Sequence, residues 1–300
     1  MKKLSCLILM LLTMMMFGQT TYLKLDRISG GTDSVKLSDI SRMYFANVVA
    51  DTTPVSGTYA LVQGSTFVMG DQIYGTPLHV VTLSNYYIGK TEVTQGQWKA
   101  IMGVGSNPSF FTAIGDNGPV EEVNWLDCVT YCNKLSIKEG RTPCYNIGGE
   151  TNPSLWISGT VVCDFTAKGY RLPTEAEWEF AAKGGNRGSG HIYSGSDIEG
   201  SVSWCKNNSL NSSHVVGTKM ANELGVYDMS GNLWEWCSDW LEPYPSSAQT
   251  NPVGPLSGSH RVMRGGSWND GQPNDLPGYR SQSLPDTKTA FYGFRVVRAQ

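Results

Sequence analysis

The sequence predicts an α+β fold with little regular secondary structure, on three observations. Short β-type runs alternate with Gly-rich turns, and only three segments carry apolar residues at helical spacing. The third is composition: 34 glycines and 9 tryptophans accompany a charged content of only 16%, which suits a globular, loop-rich chain. Its 300 residues are long for one ordinary domain, yet a single irregular core remains within reach. With a formal net charge of −3 and no Lys/Arg run, nothing provides an electrostatic footprint for a polyanion, so nucleic acid is not expected as a partner.

Lys2 and Lys3, apolar Leu7 to Phe17, and small or polar Gly18 to Thr21 follow the order of a secretory signal peptide, taken as residues 1–20. The apolar run is too short for a bilayer core, which takes roughly 20 apolar residues. No membrane span is expected once the signal is removed, and the protein is expected to be secreted, periplasmic or at the cell surface. Residues 21–57 read as a short β prefix and linker. Period-two runs from Thr21 to Asp26 and from Val35 to Leu37 flank a Gly30-Gly31 turn, Met43-Tyr44-Phe45 offers a third strand, and Asp51 to Gly57 is linker-like.

Residues 58–300 form the main domain. Tyr59 to Val62, Thr66 to Gly70 and His79 to Leu83 read as strands joined by hairpins. Thr94 to Met102, Trp125 to Leu135 behind Asn124, and Leu172 to Ala182 read as helices. Thr94 and Asn124 are expected caps, and Thr174 with Glu177 makes a capping box. Trp178, Trp234, Trp236 and Trp240 are expected to organise the core. Arg171, Glu175, Glu179, Arg264 and Arg295 are expected in buried ion pairs or on buried carbonyls.

Cys128, Cys132, Cys144, Cys163, Cys205 and Cys237 follow the signal region. An even number permits disulfides in an oxidising compartment, but a core this large does not require them. The absence of a CxxC pair argues against a cysteine zinc site. His79, His191, His214 and His260 are isolated, so no facial triad is signalled. There is no GxSxG nucleophile elbow.

An ordered set of motifs runs through the main domain. It comprises Met69-Gly70, Tyr86-Tyr87-Ile88-Gly89-Lys90-Thr91-Glu92-Val93-Thr94, Pro119-Val120-Glu121-Glu122-Val123-Asn124-Trp125, and Arg171-Leu172-Pro173-Thr174-Glu175-Ala176-Glu177-Trp178-Glu179. It continues with Gly225-Val226-Tyr227-Asp228-Met229-Ser230-Gly231-Asn232-Leu233-Trp234-Glu235-Trp236, Arg264-Gly265-Gly266-Ser267-Trp268 and Gly293-Phe294-Arg295-Val296-Val297. Together they resemble the formylglycine-generating enzyme (sulfatase-modifying factor) family from end to end. The resemblance implies a C-type-lectin-like fold. It also implies a structural calcium held by the Asp228 and Glu235 side chains and the Gly231 and Leu233 carbonyls. An oxygen-rich turn with Gly at its centre suits that hard cation, and the plainer reading is a capped turn with a surface Glu. A second calcium site of the family falls around Val202 to Asn211, where no acidic ligands match.

The resemblance further implies oxidation of a substrate cysteine by copper held on two cysteines just after the Gly-Gly-Ser block. Ser267 to Leu276 contains no sulfur. Asp270 and Asp275 fall where the thiolates belong, and carboxylates are hard ligands that do not replace them for cuprous copper. Copper is therefore not expected. One functional expectation is a non-catalytic domain binding a peptide, protein or glycan partner in the cell envelope. The alternatives are an enzyme of altered chemistry, with Asp270, Asp275, Ser267 and Arg280 lining a cleft, and a formylglycine-generating oxidase. A deep pocket holding both carboxylates favours the enzyme, whereas an open aromatic-lined surface favours binding.

Overall fold

The computed structural model describes residues 14–17, 20–26, 32–36, 58–71 and 76–300, and the chain divides into units of residues 1–49 and 50–300. The first unit is an antiparallel sheet of β1 (Met14–Phe17), β2 (Thr20–Asp26) and β3 (Thr32–Lys36) in that order. Asp26 pairs with Thr32 and Tyr22 with Lys36, so the strands expected on either side of Gly30-Gly31 are present. The third strand expected at Met43-Tyr44-Phe45, the linker and most of the leader-like run lie outside the described residues. Met14–Phe17, the end of that run, is paired in β1.

The second unit begins with β4 (Tyr59–Val62), β5 (Thr66–Asp71), β6 (Thr76–Thr82) and β7 (Tyr86–Gly89). All three expected helices form. They are α1 (Gln95–Met102), α2 (Trp125–Lys138) and α3 (Glu175–Ala182), and each opens on a reciprocal capping box: Thr94 with Gln97, Asn124 with Asp127, Thr174 with Glu177. Between α2 and α3 lie β8 (Tyr145–Ile147), β9 (Val161–Cys163) and β10 (Tyr170–Arg171). After α3 come α4 (Glu199–Val202), β11 (Trp234–Trp240), β12 (Gln249–Thr250), β13 (Arg261–Arg264), β14 (Arg280–Ser283), β15 (Tyr292–Gly293) and β16 (Val297–Ala299). Among the described residues no helix is long and apolar enough to cross a membrane.

The sheets join distant segments. One runs β10-β16-β7-β4, another β14-β13-β11-β15, a third β12-β6-β5. Strand β11 positions the site, and both of its faces are buried. Trp234 and Trp236 on one face enter a core with α1, α2 and Phe294, while Cys237 on the other enters a second core with Trp178 and Phe180 of α3. Glu235 and Asp239 alternate with the tryptophans and therefore point to the α3 side. The six cysteines of this unit are free thiols, five buried and Cys163 partly so.

The expected ion pairs form, and they stitch α3 to the sheets. Arg171 holds Glu177 through two bonds of 2.6 and 2.7 Å. Glu175 receives Arg280, and Glu179 receives Arg264, Lys183 and the Gly70 amide. Forked guanidiniums match carboxylates at two points, so each pairing fixes orientation as well as charge.

Candidate functional site

Three residues of the turn from Asp228 to Leu233 have left-handed backbone: φ is 56° at Asp228, 76° at Gly231 and 63° at Asn232. At Gly231 an added Cβ would lie 2.3 Å from Ser203 Oγ and 2.4 Å from the Trp204 carbonyl oxygen, so only glycine fits. The turn feeds directly into β11, which carries Glu235 into the interior. Arg295 Nε and Nη2 donate to the two oxygens of Glu235 at 2.6 Å each, and Trp178 Nε1 donates to Oε2 at 2.8 Å. The same guanidinium donates to the carbonyls of Gly89, Tyr227 and Asp228 at 3.0, 2.9 and 3.2 Å. Arg295 thus clamps both ends of the motif.

Glu92 completes the cluster, three carboxylates around one guanidinium, all buried. Gly217 N donates to Asp228 Oδ2 at 2.7 Å and Asn232 Nδ2 to Glu92 Oε2 at 3.3 Å. Asp228 Oδ1 and Glu92 Oε1 are buried with no hydrogen-bond partner among the described residues. Burial pushes the Asp228 carboxyl up to about 6. Burial first, then the charges of Asp228 and Glu235, push Glu92 well above the ordinary carboxylate range. Two orphaned hard oxygens suit a hard cation, but the set differs from the expected one. Glu235 is buried, with Arg295 and Trp178 donating to its oxygens. Asp228 and Glu92 remain, with the Gly231 and Leu233 carbonyls. Among the described residues no group of three or more His, Cys, Asp or Glu side chains is placed to hold a metal ion. The turn and Glu92 together present two buried carboxylates and backbone carbonyls.

The loop after Ser267 is closed rather than open. Asp270 Oδ2 accepts from Ser267 N, Ser267 Oγ and Trp234 Nε1 at 3.1, 2.5 and 2.9 Å, and Oδ1 accepts from Asn274 Nδ2 at 2.9 Å. This carboxylate is the staple of its own turn. Asp275 is fully buried, with the Glu199 and Ser203 side chains beside it. Burial first and Glu199 second push it up to about 7. Arg280 is committed to Glu175 and the Glu242 carbonyl. Ser267 and Asp270 are thus together, whereas Asp275 is enclosed and Arg280 serves α3. One thiol not anticipated here, Cys205, stands close enough to Glu199 and Asp275 for both to raise it further, although burial is the largest cause.

Beside this loop runs an aromatic ledge. Trp268 stacks on Phe291 with ring centres 4.9 Å apart, Phe111 meets Trp268 edge-on at 5.4 Å, and Phe110 meets Phe111 at 5.0 Å. The Glu121 carboxylate accepts the amides of Phe110 and Phe111 at 3.0 and 2.8 Å, which fixes the tip. Phe110 is 70% exposed.

Residues 45–300 match the family described as the sulfatase-modifying factor enzyme 1-like domain. The chain belongs to this family. Among sulfatase-modifying factor relatives, the chaperone protein LppX of Paenibacillus barcinonensis is 41% identical, over 72% of this chain and 80% of that protein. The formylglycine-generating enzyme of Streptomyces coelicolor is 30% identical over 77% and 86% respectively. Among solved structures, Treponema denticola variable protein 1 superposes with a TM-score of 0.74 at 36% identity, covering 81% of this chain and 95% of its own. The fold expected from the motifs is therefore the fold of the family. The family's copper does not fit this loop: the donors near it are carboxylates and the single thiol of Cys205, not a thiolate pair.

Proposed function

We propose that this sulfatase-modifying factor domain is a non-catalytic binding protein of the cell envelope, whose peptide, protein or glycan partner docks on the ledge of Phe110, Phe111, Trp268 and Phe291. One observation carries the reading: the carboxylates of the loop after Ser267 are stapled or enclosed, while the packed aromatic cluster beside them ends in the exposed ring of Phe110. An exposed ring held in place by a packed aromatic cluster is a typical anchor of a recognition surface. A relative at 41% identity named a chaperone agrees with a protein client. The test compares proteins retained from envelope extracts by the native chain and by Phe110→Ser, a substitution at an exposed tip. Loss of a specific partner at unchanged melting temperature supports the proposal. Oxygen uptake with a cysteine peptide would overturn it.

For the Asp228 turn, the reading is a structural calcium held by Asp228 and Glu92 with the Gly231 and Leu233 carbonyls. A bound ion stabilises the native state by mass action, by about 2.7 kcal/mol when the free ion is a hundredfold above its dissociation constant. A chelator is expected to lower the melting temperature of the native chain, calcium to restore it, and Asp228→Asn to abolish the response. An unchanged melting temperature on chelation rejects the site.

A further inference from the structure

A cavity of about 260 Å³ lies on the opposite face of β11 from Trp234 and Trp236, lined by α3, β6, β14 and the segment after β11. It is distinct from both the turn and the ledge. Three polar side chains more than nine-tenths buried line it, Asp239, His79 and Glu175. Asp239 Oδ2 accepts the Glu175 amide at 2.9 Å, while Oδ1 has no partner among the described residues. Gly254, with φ 72°, leaves that oxygen accessible, since an added Cβ would stand 3.3 Å from it.

His79 stacks against Tyr244 at 4.7 Å, and its Nδ1 lies 3.5 Å from the Pro77 carbonyl. With the proton on Nδ1, facing that carbonyl, Nε2 is the ring's acceptor. The Glu242 carboxylate, exposed at the rim, has no counter-ion among the described residues.

Other charges facing Asp239 are already matched. Glu175 is held by Arg280, Arg264 and the Tyr244 hydroxyl, and Glu177 by Arg171. Arg261 is clasped between the Trp125 and Trp240 rings at 3.7 and 3.4 Å and does not line the cavity. Arg280 and Glu175 also line the cavity, but as an ion pair with each other, so the uncommitted groups there are acceptors, Asp239 Oδ1, His79 and Glu242, walled by Pro243, Tyr244 and Val253. We infer that this cavity binds an alkylammonium group, either of a free diamine or of a lysine side chain. Three N–H donors on one small cation match three acceptors, and the methylenes match the apolar wall.

Burial first and Glu175 second push Asp239 up to about 8, so an arriving ammonium displaces its proton. The test is calorimetry on the full chain with 1,4-diaminobutane, N-acetyl-lysine amide and, as the uncharged comparison, 1-pentanol. One or both amines are expected to bind with proton release at neutral pH, seen as heats that differ between phosphate and Tris buffers, and pentanol is not. Preference between the amines identifies the source. Asp239→Asn is expected to weaken binding about tenfold. Val253→Trp, at a partly exposed wall position, is expected to block it. No heat with either amine, equal binding of pentanol, or unchanged affinity in both variants would overturn the inference.

Discussion

Asp239 shows how a single buried acid ties stability to pH. Its carboxyl is raised from 3.8 to about 8, by burial and then by Glu175. A raised acid binds its proton more tightly when folded, so its contribution is complete below 3.8 and lost as pH rises towards 8. The loss has a slope of up to about 1.4 kcal/mol per pH unit for one proton. Asp239→Asn, which mimics the neutral acid, is expected to flatten urea-measured stability across that interval and to raise it at the alkaline end; an unchanged slope refutes this. Glu235 marks where residue-scale reading stops. The motif nominates it as a ligand, yet its partner Arg295 lies 60 positions away, and no local pattern announces a pairing across that separation.

At the scale of elements, the helices were legible because their signals are local. Thr94, Asn124 and Thr174 each precede a helix whose third residue returns the cap. Thr174→Ala is expected to cost about 1 kcal/mol in denaturant unfolding. It also loosens Glu177, which Arg171 holds, so a cost no greater than that of a surface Ser→Ala change would argue that Arg171 alone positions Glu177. Strand β11 was not legible. Its Trp-Glu-Trp-Cys-Ser-Asp-Trp alternation looks like one wet face and one dry face, whereas α3 covers the polar side and supplies its partners. The cysteine spacing likewise left disulfides open, and the structure resolves it as free thiols in the core.

For the whole molecule, the order of motifs identified the family and hence the fold, since each motif is a packing requirement met at a distance. The aromatic ledge and the amine cavity stayed hidden because Phe111 and Trp268, or the His79 and Asp239 walls of the cavity, come together only after folding. The unit from Ala50 onward holds both cores, so a chain starting at Ala50 is expected to melt in one transition at the temperature the full chain shows for this unit. A markedly lower value would mean that the preceding residues support it. Strand β16, among the last elements made, lies between β10 and β7, and β15 pairs with β11. Until residues 295–299 have been made, a nascent chain therefore lacks the strand that joins β7 to β10 and the guanidinium that neutralises Glu235. Assembly of this domain has to wait for those residues to leave the ribosome, and the unfinished polypeptide must be kept from aggregating until then.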